Sequence, residues 1–324
     1  MLKLKDIVAC YDTPRGAVRA VDQVSLDVRE NEILGIAGES GCGKSTLLKV
    51  MYGYVQRPLR LVSGQLEAEM EEDGQVITLD VANMRRAWWK LISYIPQGSM
   101  SVLNPVLRIE SQFADAVSRF HQYRGRSEIR AQVTGYLREL GLPVEVLKAY
   151  PHQLSGGMRQ RVLVALATFL HPKVILADEP TTALDVVVQR GILQMLTRVQ
   201  QRMQNTLVMV SHDMGVHYQI THRMAIMYAA KIVELGPTHA VFDRPLHPYT
   251  SLLIRSLPRI GDRGQREGIG GAPPSLFNPP PGCRFAPRCP FVMEVCRRTE
   301  PPLSEVEPDH FAACYLHERT VAAA

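Results

Sequence analysis

One eight-residue stretch, at positions 38–45, constrains the fold of this chain more than any other feature. It reads Gly-Glu-Ser-Gly-Cys-Gly-Lys-Ser, a complete match to the pattern G-x-x-x-x-G-K-[ST]. An apolar run at 33–37 precedes it, and a helical pattern at 45–54 follows it. In a strand-loop-helix context of this kind the pattern binds the phosphates of a nucleoside triphosphate. We therefore expect a nucleotide site on an α/β fold, and an ordinary glycine-rich turn is the alternative.

Each residue type in this stretch suits a triphosphate. The glycines let backbone N–H groups turn inward around phosphate oxygens, and the ammonium group of Lys44 reaches the terminal phosphates. The hydroxyl of Ser45 is a ligand for Mg²⁺, and the following helix directs its positive N-terminus at the phosphates. The expected nucleotide-binding set in this stretch is Gly38, Ser40, Gly41, Cys42, Gly43, Lys44, Ser45 and Thr46.

Two adjacent carboxylates follow another apolar run, at 174–177. Asp178 is expected to hold Mg²⁺, directly or through water. Glu179, one residue further, can orient or deprotonate an attacking water. Because adjacent acids at a strand end are more often surface groups or helix caps, this assignment depends on the phosphate-binding stretch.

Short apolar runs at 33–37, 174–177 and 207–210 alternate with helical patterns. Strands buried on both faces have this composition, so we expect a mainly parallel sheet covered by helices. A further group of helical patterns predicts an inserted helical subdomain, with Ser127 as an N-cap. These patterns lie at 108–121, 127–140 and 156–170.

Residues 154–158 read Leu-Ser-Gly-Gly-Met and precede the last of these helices. A serine, two glycine N–H groups and a helix N-terminus together form a second anion site. The stretch resembles the LSGGQ signature of the ABC ATPase family, with methionine in the fifth place. In that family Ser155, Gly156 and Gly157 would grip the γ-phosphate held by a partner subunit, so the resemblance implies a dimer. A simple helix N-cap is the alternative, and it does not explain both glycines.

The remaining family elements occur in the expected order. Gln97 matches the glutamine that senses Mg²⁺ and the membrane subunits, and residues 183–185 match the D-loop at the dimer interface. His212 matches the switch histidine at the γ-phosphate, and Tyr11 matches the aromatic residue that stacks on adenine. A structural histidine and a surface tyrosine are the respective alternatives. The resemblance thus implies hydrolysis of ATP, with Glu179, His212, Lys44 and Gln97 as catalytic residues and Ser45, Gln97 and Asp178 at Mg²⁺.

Three further stretches resemble the ATPases of oligopeptide and dipeptide importers. They are Leu-Asn-Pro at 103–105, His-Pro-Tyr-Thr at 247–250, and the cysteine-containing tail from residue 282, and the stretch at 180–186 also looks like this branch. The resemblance implies a second ATPase subunit, identical or different, two transmembrane permease subunits and, indirectly, an extracytoplasmic substrate-binding protein. Relatives in this branch move peptides, nickel complexes or oligosaccharides.

The tail carries Cys283, Cys289, Cys296 and Cys314. In a reducing compartment such a cluster indicates metal rather than disulfides. Four thiolates suit either tetrahedral zinc or a [4Fe–4S] cluster. Because the paired C-x₂₋₄-C spacing of zinc sites is absent and some members of the branch carry an iron–sulfur cluster, we expect [4Fe–4S], with zinc and unligated thiols as alternatives.

Composition divides the chain into three regions. We expect an ATPase cassette at 1–255 with its helical subdomain at about 98–170, a Pro/Gly-rich linker at 256–281, and a cysteine-rich extension at 282–324. The net charge of +5, from 37 basic and 32 acidic residues, is dispersed, so no nucleic-acid partner is expected.

The longest apolar stretch falls far short of the ~20 residues that span a bilayer. We therefore expect a peripheral subunit on the cytoplasmic face of the membrane. Two other classes of protein are alternatives: a soluble ABC ATPase of DNA repair or chromosome organisation, and a regulatory subunit that binds ATP without hydrolysing it. The first predicts a long inserted coiled coil or a zinc hook, and the sequence has neither. The second conflicts with the joint presence of Lys44, Asp178, Glu179 and His212.

Overall fold

The computed structural model describes residues 2–72, 74–98, 102–117, 125–257 and 268–317. The chain divides into two compact units, one formed by 1–85 with 210–324 and the other by 86–209. Over the described residues, no helix has both the length and the apolar character that spanning a bilayer requires.

The described strands, in chain order, are β1 (Leu2–Thr13), β2 (Gly16–Val28), β3 (Ile33–Ala37), β4 (Leu59–Glu72), β5 (Gln75–Leu79), β6 (Ile92–Ile95), β7 (Val174–Asp178), β8 (Thr206–Val210), β9 (Arg223–Tyr228), β10 (Lys231–Pro237), β11 (Ser304–Glu307) and β12 (His310–Ala312). The α-helices are α1 (Lys44–Met51), α2 (Ile109–Val117), α3 (Arg126–Glu139), α4 (Gly156–Thr168), α5 (Val186–Met203), α6 (Met214–Ile220), α7 (Thr238–Asp243), α8 (Pro248–Arg255) and α9 (Glu294–Arg298).

The first unit contains an antiparallel sheet with the strand order β2-β1-β4-β5. It also contains the strand series β11-β12-β10-β9-β3, in which β3 and β9 run parallel, with Ile36 opposite Ala225. All five residues of β3 are buried, as their uninterrupted apolar run predicts. The tail extends this series, because β12 pairs with β10 and places Phe311 opposite Leu235.

Three aromatic rings form the centre of the packing between the tail and the rest of the first unit. Phe285 meets Tyr228 edge to face at 5.2 Å and lies 5.5 Å from Tyr249. Rings in these arrangements contribute packing energy beyond their buried area. The tail is therefore anchored by an aromatic core as well as by strand pairing.

The second unit contains the strand order β8-β7-β6, with β6 and β7 parallel and Ile95 opposite Ala177. Every residue of β7 and β8 is buried, so the expected parallel, helix-covered sheet is confirmed. Among the helices of this unit, Phe113 on α2 packs edge to face on Phe169 at the end of α4, at 5.7 Å.

The predicted helices differ from the observed ones mainly at their ends. The pattern at 108–121 corresponds to α2, and its last residues lie outside the described part of the chain. The assignment of Ser127 as an N-cap is wrong: α3 begins at Arg126 after Gly125, so Ser127 lies in the first turn. Glycine at the N-cap gives no side-chain acceptor, and the serine two positions later supplied a misleading signal.

Truncation of the central ring should loosen the tail. Phe285→Ala is expected to lower the free energy of unfolding by about 3–5 kcal/mol, because Phe285 is only 1% exposed and a cavity would remain. Urea denaturation followed by circular dichroism measures the loss. The matched control is Phe277→Ala: Phe277 is 49% exposed, and its truncation should cost less than about 1 kcal/mol. Equal losses in the two variants would contradict this account.

Candidate functional site

The phosphate loop, residues 38–45, runs from the end of β3 into the first turn of α1 and follows a path that only glycine permits at two points. Gly38 has φ +148° and Gly43 has φ +109°. A Cβ atom would lie 2.1 Å from the Met227 carbonyl oxygen at the first position and 2.0 Å from the Ala20 carbonyl oxygen at the second. The glycines therefore allow two neighbouring backbones to approach the loop closely, which the motif alone did not indicate.

Lys44 is the first residue of α1 and is only 5% exposed. Its ammonium group donates hydrogen bonds to the carbonyl oxygens of Gly38 at 2.8 Å and Glu39 at 3.0 Å. The expected phosphate-binding cation thus lies inside the curve of the loop. Burial raises the pKa of the neighbouring Cys42 thiol, which keeps it neutral beside the lysine.

Tyr11 lies on β1 beside the start of α1. The hydroxyl of Thr46 donates a hydrogen bond to its phenol oxygen at 3.4 Å. The structure thus brings Tyr11 together with the loop, where an aromatic ring can stack on a base attached to the bound phosphates.

His212 precedes α6, whose N-terminus is capped by Asp213. The carboxylate of Asp213 accepts hydrogen bonds from the N–H groups of Gly215 at 2.8 Å and Val216 at 3.3 Å. His217, which sequence reasoning missed, contacts the residue before His212: its Nε2 lies 3.1 Å from the Ser211 carbonyl oxygen. Burial lowers the pKa of His217 to about 4, so the ring is neutral and its Nε2–H donates to this oxygen.

In the second unit, Asp178 ends β7 and is buried. One of its oxygens accepts a hydrogen bond from the Tyr94 hydroxyl at 2.8 Å. The next residue, Glu179, accepts hydrogen bonds at 2.8 Å from the Gln97 amide and from the Thr182 hydroxyl. The structure therefore brings together Gln97 and Glu179, two of the four predicted catalytic residues, at the ends of β6 and β7.

The signature serine caps α4. Ser155 Oγ accepts a hydrogen bond from the Met158 N–H at 3.3 Å, and Gly156 and Gly157 form the first turn. A Cβ atom on Gly157 would lie 2.5 Å from a methyl group of Val188, near the start of α5. Asp185 caps α5, so the signature and the D-loop meet at the N-termini of two adjoining helices.

All four tail cysteines line one small cavity of about 20 Å³ in the first unit, together with Phe285. Burial raises the pKa of Cys283 and of Cys314 to about 11, so these thiols are neutral and pack as small apolar side chains. Within the described residues, no group of three or more His, Cys, Asp or Glu side chains is arranged to hold a metal ion. The expected cysteine ligand set is thus gathered around one cavity but does not have metal-site geometry.

Three residues around the loop were not predicted from the sequence. The Glu39 N–H donates to the Tyr249 hydroxyl at 2.9 Å, and the Glu39 carboxylate pairs with Arg288. Tyr249 was noted only as part of the His-Pro-Tyr-Thr stretch. No local pattern connects these positions, which are 210 and 249 residues apart in the chain.

Comparison with known families and proteins gives consistent results. Residues 21–182 match the family described as ABC transporter, and residues 233–296 match the C-terminal region of oligopeptide/dipeptide transporters. The dipeptide transport ATP-binding protein DppD of Caldanaerobacter subterraneus is 38% identical, over 98% of this chain and 97% of its own length. The oligopeptide transport ATP-binding protein OppD of Escherichia coli is 36% identical, over 97% of this chain and 93% of its own.

Among solved structures, similarity extends to a dimeric ATP-binding cassette in a post-hydrolysis state bound to ADP and phosphate. The TM-score is 0.62 at 27% sequence identity, over 74% of this chain and 99% of that one.

Substitution at Gly43 should disrupt the loop. Gly43→Ala is expected to lower the affinity for MgATP by at least about tenfold, because its Cβ atom would collide with the Ala20 carbonyl oxygen at 2.0 Å. Equilibrium titration with a fluorescent ATP analogue measures the change. Gly74→Ala is the matched control: φ is +78°, yet the added Cβ atom meets nothing within 4 Å. Wild-type affinity in Gly43→Ala would show that the close approach is not required.

Proposed function

Because this chain belongs to the ABC transporter family of ATP-binding proteins, we propose that it hydrolyses ATP to drive import of dipeptides or oligopeptides. The observation that carries the proposal is the similarity to dipeptide and oligopeptide transport ATP-binding proteins over almost the whole chain. The loop around Lys44 and the contact between Gln97 and Glu179 support the ATPase part.

The proposed nucleotide contacts follow from the loop geometry. The backbone N–H groups of 38–45, the ammonium group of Lys44 and the N-terminus of α1 would bind the phosphates. Thr46 would contribute to the same site, and Tyr11 would stack on the adenine. The hydroxyl, amide and carboxylate oxygens of Ser45, Gln97 and Asp178 match the ligands that Mg²⁺ prefers, and the ion would offset phosphate charge.

Hydrolysis needs a water directed at the γ-phosphorus. Glu179 would orient this water and accept its proton while the bond to the leaving oxygen of ADP breaks. The amide of Gln97 and the hydroxyl of Thr182 hold the Glu179 carboxylate, each at 2.8 Å. His212 would contact the γ-phosphate from its loop before α6.

We propose that the working unit is a dimer of ATPase subunits, in which Ser155, Gly156 and Gly157 act on the nucleotide of the partner subunit. Exposed apolar side chains beside the D-loop support this, since Val186 and Val187 are 79% and 82% exposed. The second ATPase subunit is either identical or different. The dimer would act at the cytoplasmic face of the membrane with two permease subunits. An extracytoplasmic substrate-binding protein would deliver the transported substrate to the permease subunits, and so would be an indirect partner of this chain.

We further propose that residues 282–324 form an extension of the cassette at 1–255, connected through 256–281. Its four cysteines would bind a [4Fe–4S] cluster, with zinc as the alternative. Their position around one cavity supports the ligand set, whereas its volume of about 20 Å³ requires the side chains to move outward. A metal centre would supply the positive charge that stabilises thiolates against burial.

Removal of the proposed base should stop turnover. Glu179→Gln is expected to reduce ATPase activity of the assembled transporter by about 10²–10⁴-fold while ATP binding persists. The measurement is phosphate release, with the partner site disabled so that it cannot mask the effect. Glu145→Gln, which removes an exposed carboxylate in the same unit, should leave activity unchanged. Wild-type turnover in Glu179→Gln would exclude the role.

A bulky cation at the signature should separate the two subunits. Ser155→Arg is expected to block ATP-dependent dimerisation in size-exclusion chromatography, because the side chain would fill the anion site at the N-terminus of α4. Binding of ATP to the isolated subunit should persist. The control is Ser127→Arg, at an exposed position on α3. Unchanged dimerisation in Ser155→Arg would contradict the proposed dimer.

Metal content tests the tail. Protein purified without oxygen under iron-replete conditions should be brown and carry about four irons per chain. Single Cys→Ser changes at the four positions should reduce iron and loosen the tail, whereas Cys10→Ser on β1 should not. If the protein contains zinc and no iron, the proposed metal is wrong but the proposed ligands stand. If it contains neither metal and the four thiols are freely alkylated, the proposed metal site is wrong.

A further inference from the structure

A short segment of the tail, residues 282–290, lies against the phosphate loop in the first unit. Its Arg288 forms two parallel hydrogen bonds to the Glu39 carboxylate, at 2.8 Å and 2.9 Å. Glu39 is the second residue of the loop at 38–45. The tail therefore contacts the loop through a charge-assisted, two-bond pair, which is a strong and strongly directional interaction.

The surroundings of Arg288 are built for a guanidinium group. Its side chain is 4% exposed, and its remaining donors reach the Tyr228 hydroxyl at 3.1 Å and the carbonyl oxygens of Ile269 at 3.1 Å and Gly270 at 2.9 Å. With the two bonds to Glu39, all five N–H donors of the guanidinium are used. A lysine could keep the charge at this position but could not make this set of bonds.

Glu39 is held at three separate points. Its N–H donates to the Tyr249 hydroxyl, its carbonyl oxygen accepts from Lys44 Nζ at 3.0 Å, and its carboxylate pairs with Arg288. The carboxylate would otherwise place an unbalanced negative charge in the loop that is proposed to bind a triphosphate. Repulsion between these charges would oppose nucleotide binding.

A second arginine of the same segment contacts residues next to the loop. Arg284 forms a buried ion pair with Asp22 and donates to the Ala229 carbonyl oxygen. The next residue, Ala230, donates its N–H to the Cys42 carbonyl oxygen at 2.9 Å. The tail segment thus contacts the loop directly at Glu39 and indirectly at Cys42, through residues 229 and 230.

We propose that Arg288 is a positioning residue for nucleotide binding: it fixes Glu39 in the phosphate loop and offsets its charge. This inference rests on the proposed ATP site. Through this contact the cysteine-containing tail contributes to the structure of the nucleotide site. Because Arg288 belongs to the tail, this contact would couple the order of the tail to the affinity for ATP.

The test is equilibrium titration of the full-length chain with fluorescent ATP and Mg²⁺. Arg288→Met should raise the Kd by about tenfold, because Glu39 is then unpaired beside the phosphates. The double variant Glu39→Gln with Arg288→Met should return to within about threefold of wild type. The Kd of Arg288→Lys should lie between those of the wild type and Arg288→Met, because lysine keeps the charge but not the full set of bonds. The increase in Kd caused by Arg288→Met should become smaller at higher salt concentration, because salt screens the repulsion.

The matched control removes an ion pair that also ties the tail to the first unit but lies away from the loop. Arg29 pairs with Asp309 in the turn before β12, so Arg29→Met should leave the Kd unchanged. Thermal unfolding without nucleotide checks that each variant is folded. If Arg288→Met does not fold, Arg288→Lys carries the test, and wild-type affinity in it would overturn the proposal.

Several results would overturn the assignment of Arg288 alone. They are an unchanged Kd in Arg288→Met, a defect no larger than that of Arg29→Met, or a double variant no better than the single one. The proposed ATP site has its own control, since Lys44→Ala should abolish binding. Absence of binding in the wild type, or normal binding in Lys44→Ala, would reject the ATP site and the role of Arg288 together.

Discussion

The phosphate loop depends on close backbone approaches that only glycine allows. The carbonyl oxygens of Ala20 and Met227 lie where Cβ atoms at positions 43 and 38 would stand. These oxygens come from β2 and β9, so the loop is shaped by two strands far apart in the chain. Any larger residue at position 38 or 43 would displace either the loop or a strand. The geometry of the nucleotide site therefore depends on the positions of these two strands in the first unit.

Three buried charged groups in the first unit have specific partners. Lys44 donates to two carbonyl oxygens, and Arg288 is bonded to Glu39. On β10, Glu234 is fully buried, and its carboxylate accepts the His247 N–H at 2.8 Å and contacts His310 Nε2 at 2.8 Å. Because an unpaired buried charge is costly, these pairs determine one arrangement of the tail on the cassette. The pair between Arg288 and Glu39 therefore links the tail to the phosphate loop electrostatically.

Local patterns in the sequence were sufficient to predict the limits of an element when the pattern lies within that one strand or helix. The strand at 33–37 has the predicted limits, and the helix after Ser155 begins where its glycines indicated. The prediction of Ser127 as the N-cap of α3 was wrong because the position of a cap depends on the backbone geometry of the preceding residues. The pair between Glu39 and Arg288 could not be predicted, since no periodicity relates residues 249 positions apart. Likewise, cysteine spacing predicted a common location but carried no information on side-chain geometry.

The central claim is that this chain supplies ATP hydrolysis to a peptide importer. The most direct measurement is isolation of the tagged chain from its native membranes in detergent, followed by identification of its partners and reconstitution into vesicles. The account predicts co-purification of two permease subunits and a second ATPase subunit, and ATP-dependent uptake of peptide when the substrate-binding protein is added. A chain that purifies without permease subunits, or vesicles that hydrolyse ATP without accumulating any peptide, would contradict it.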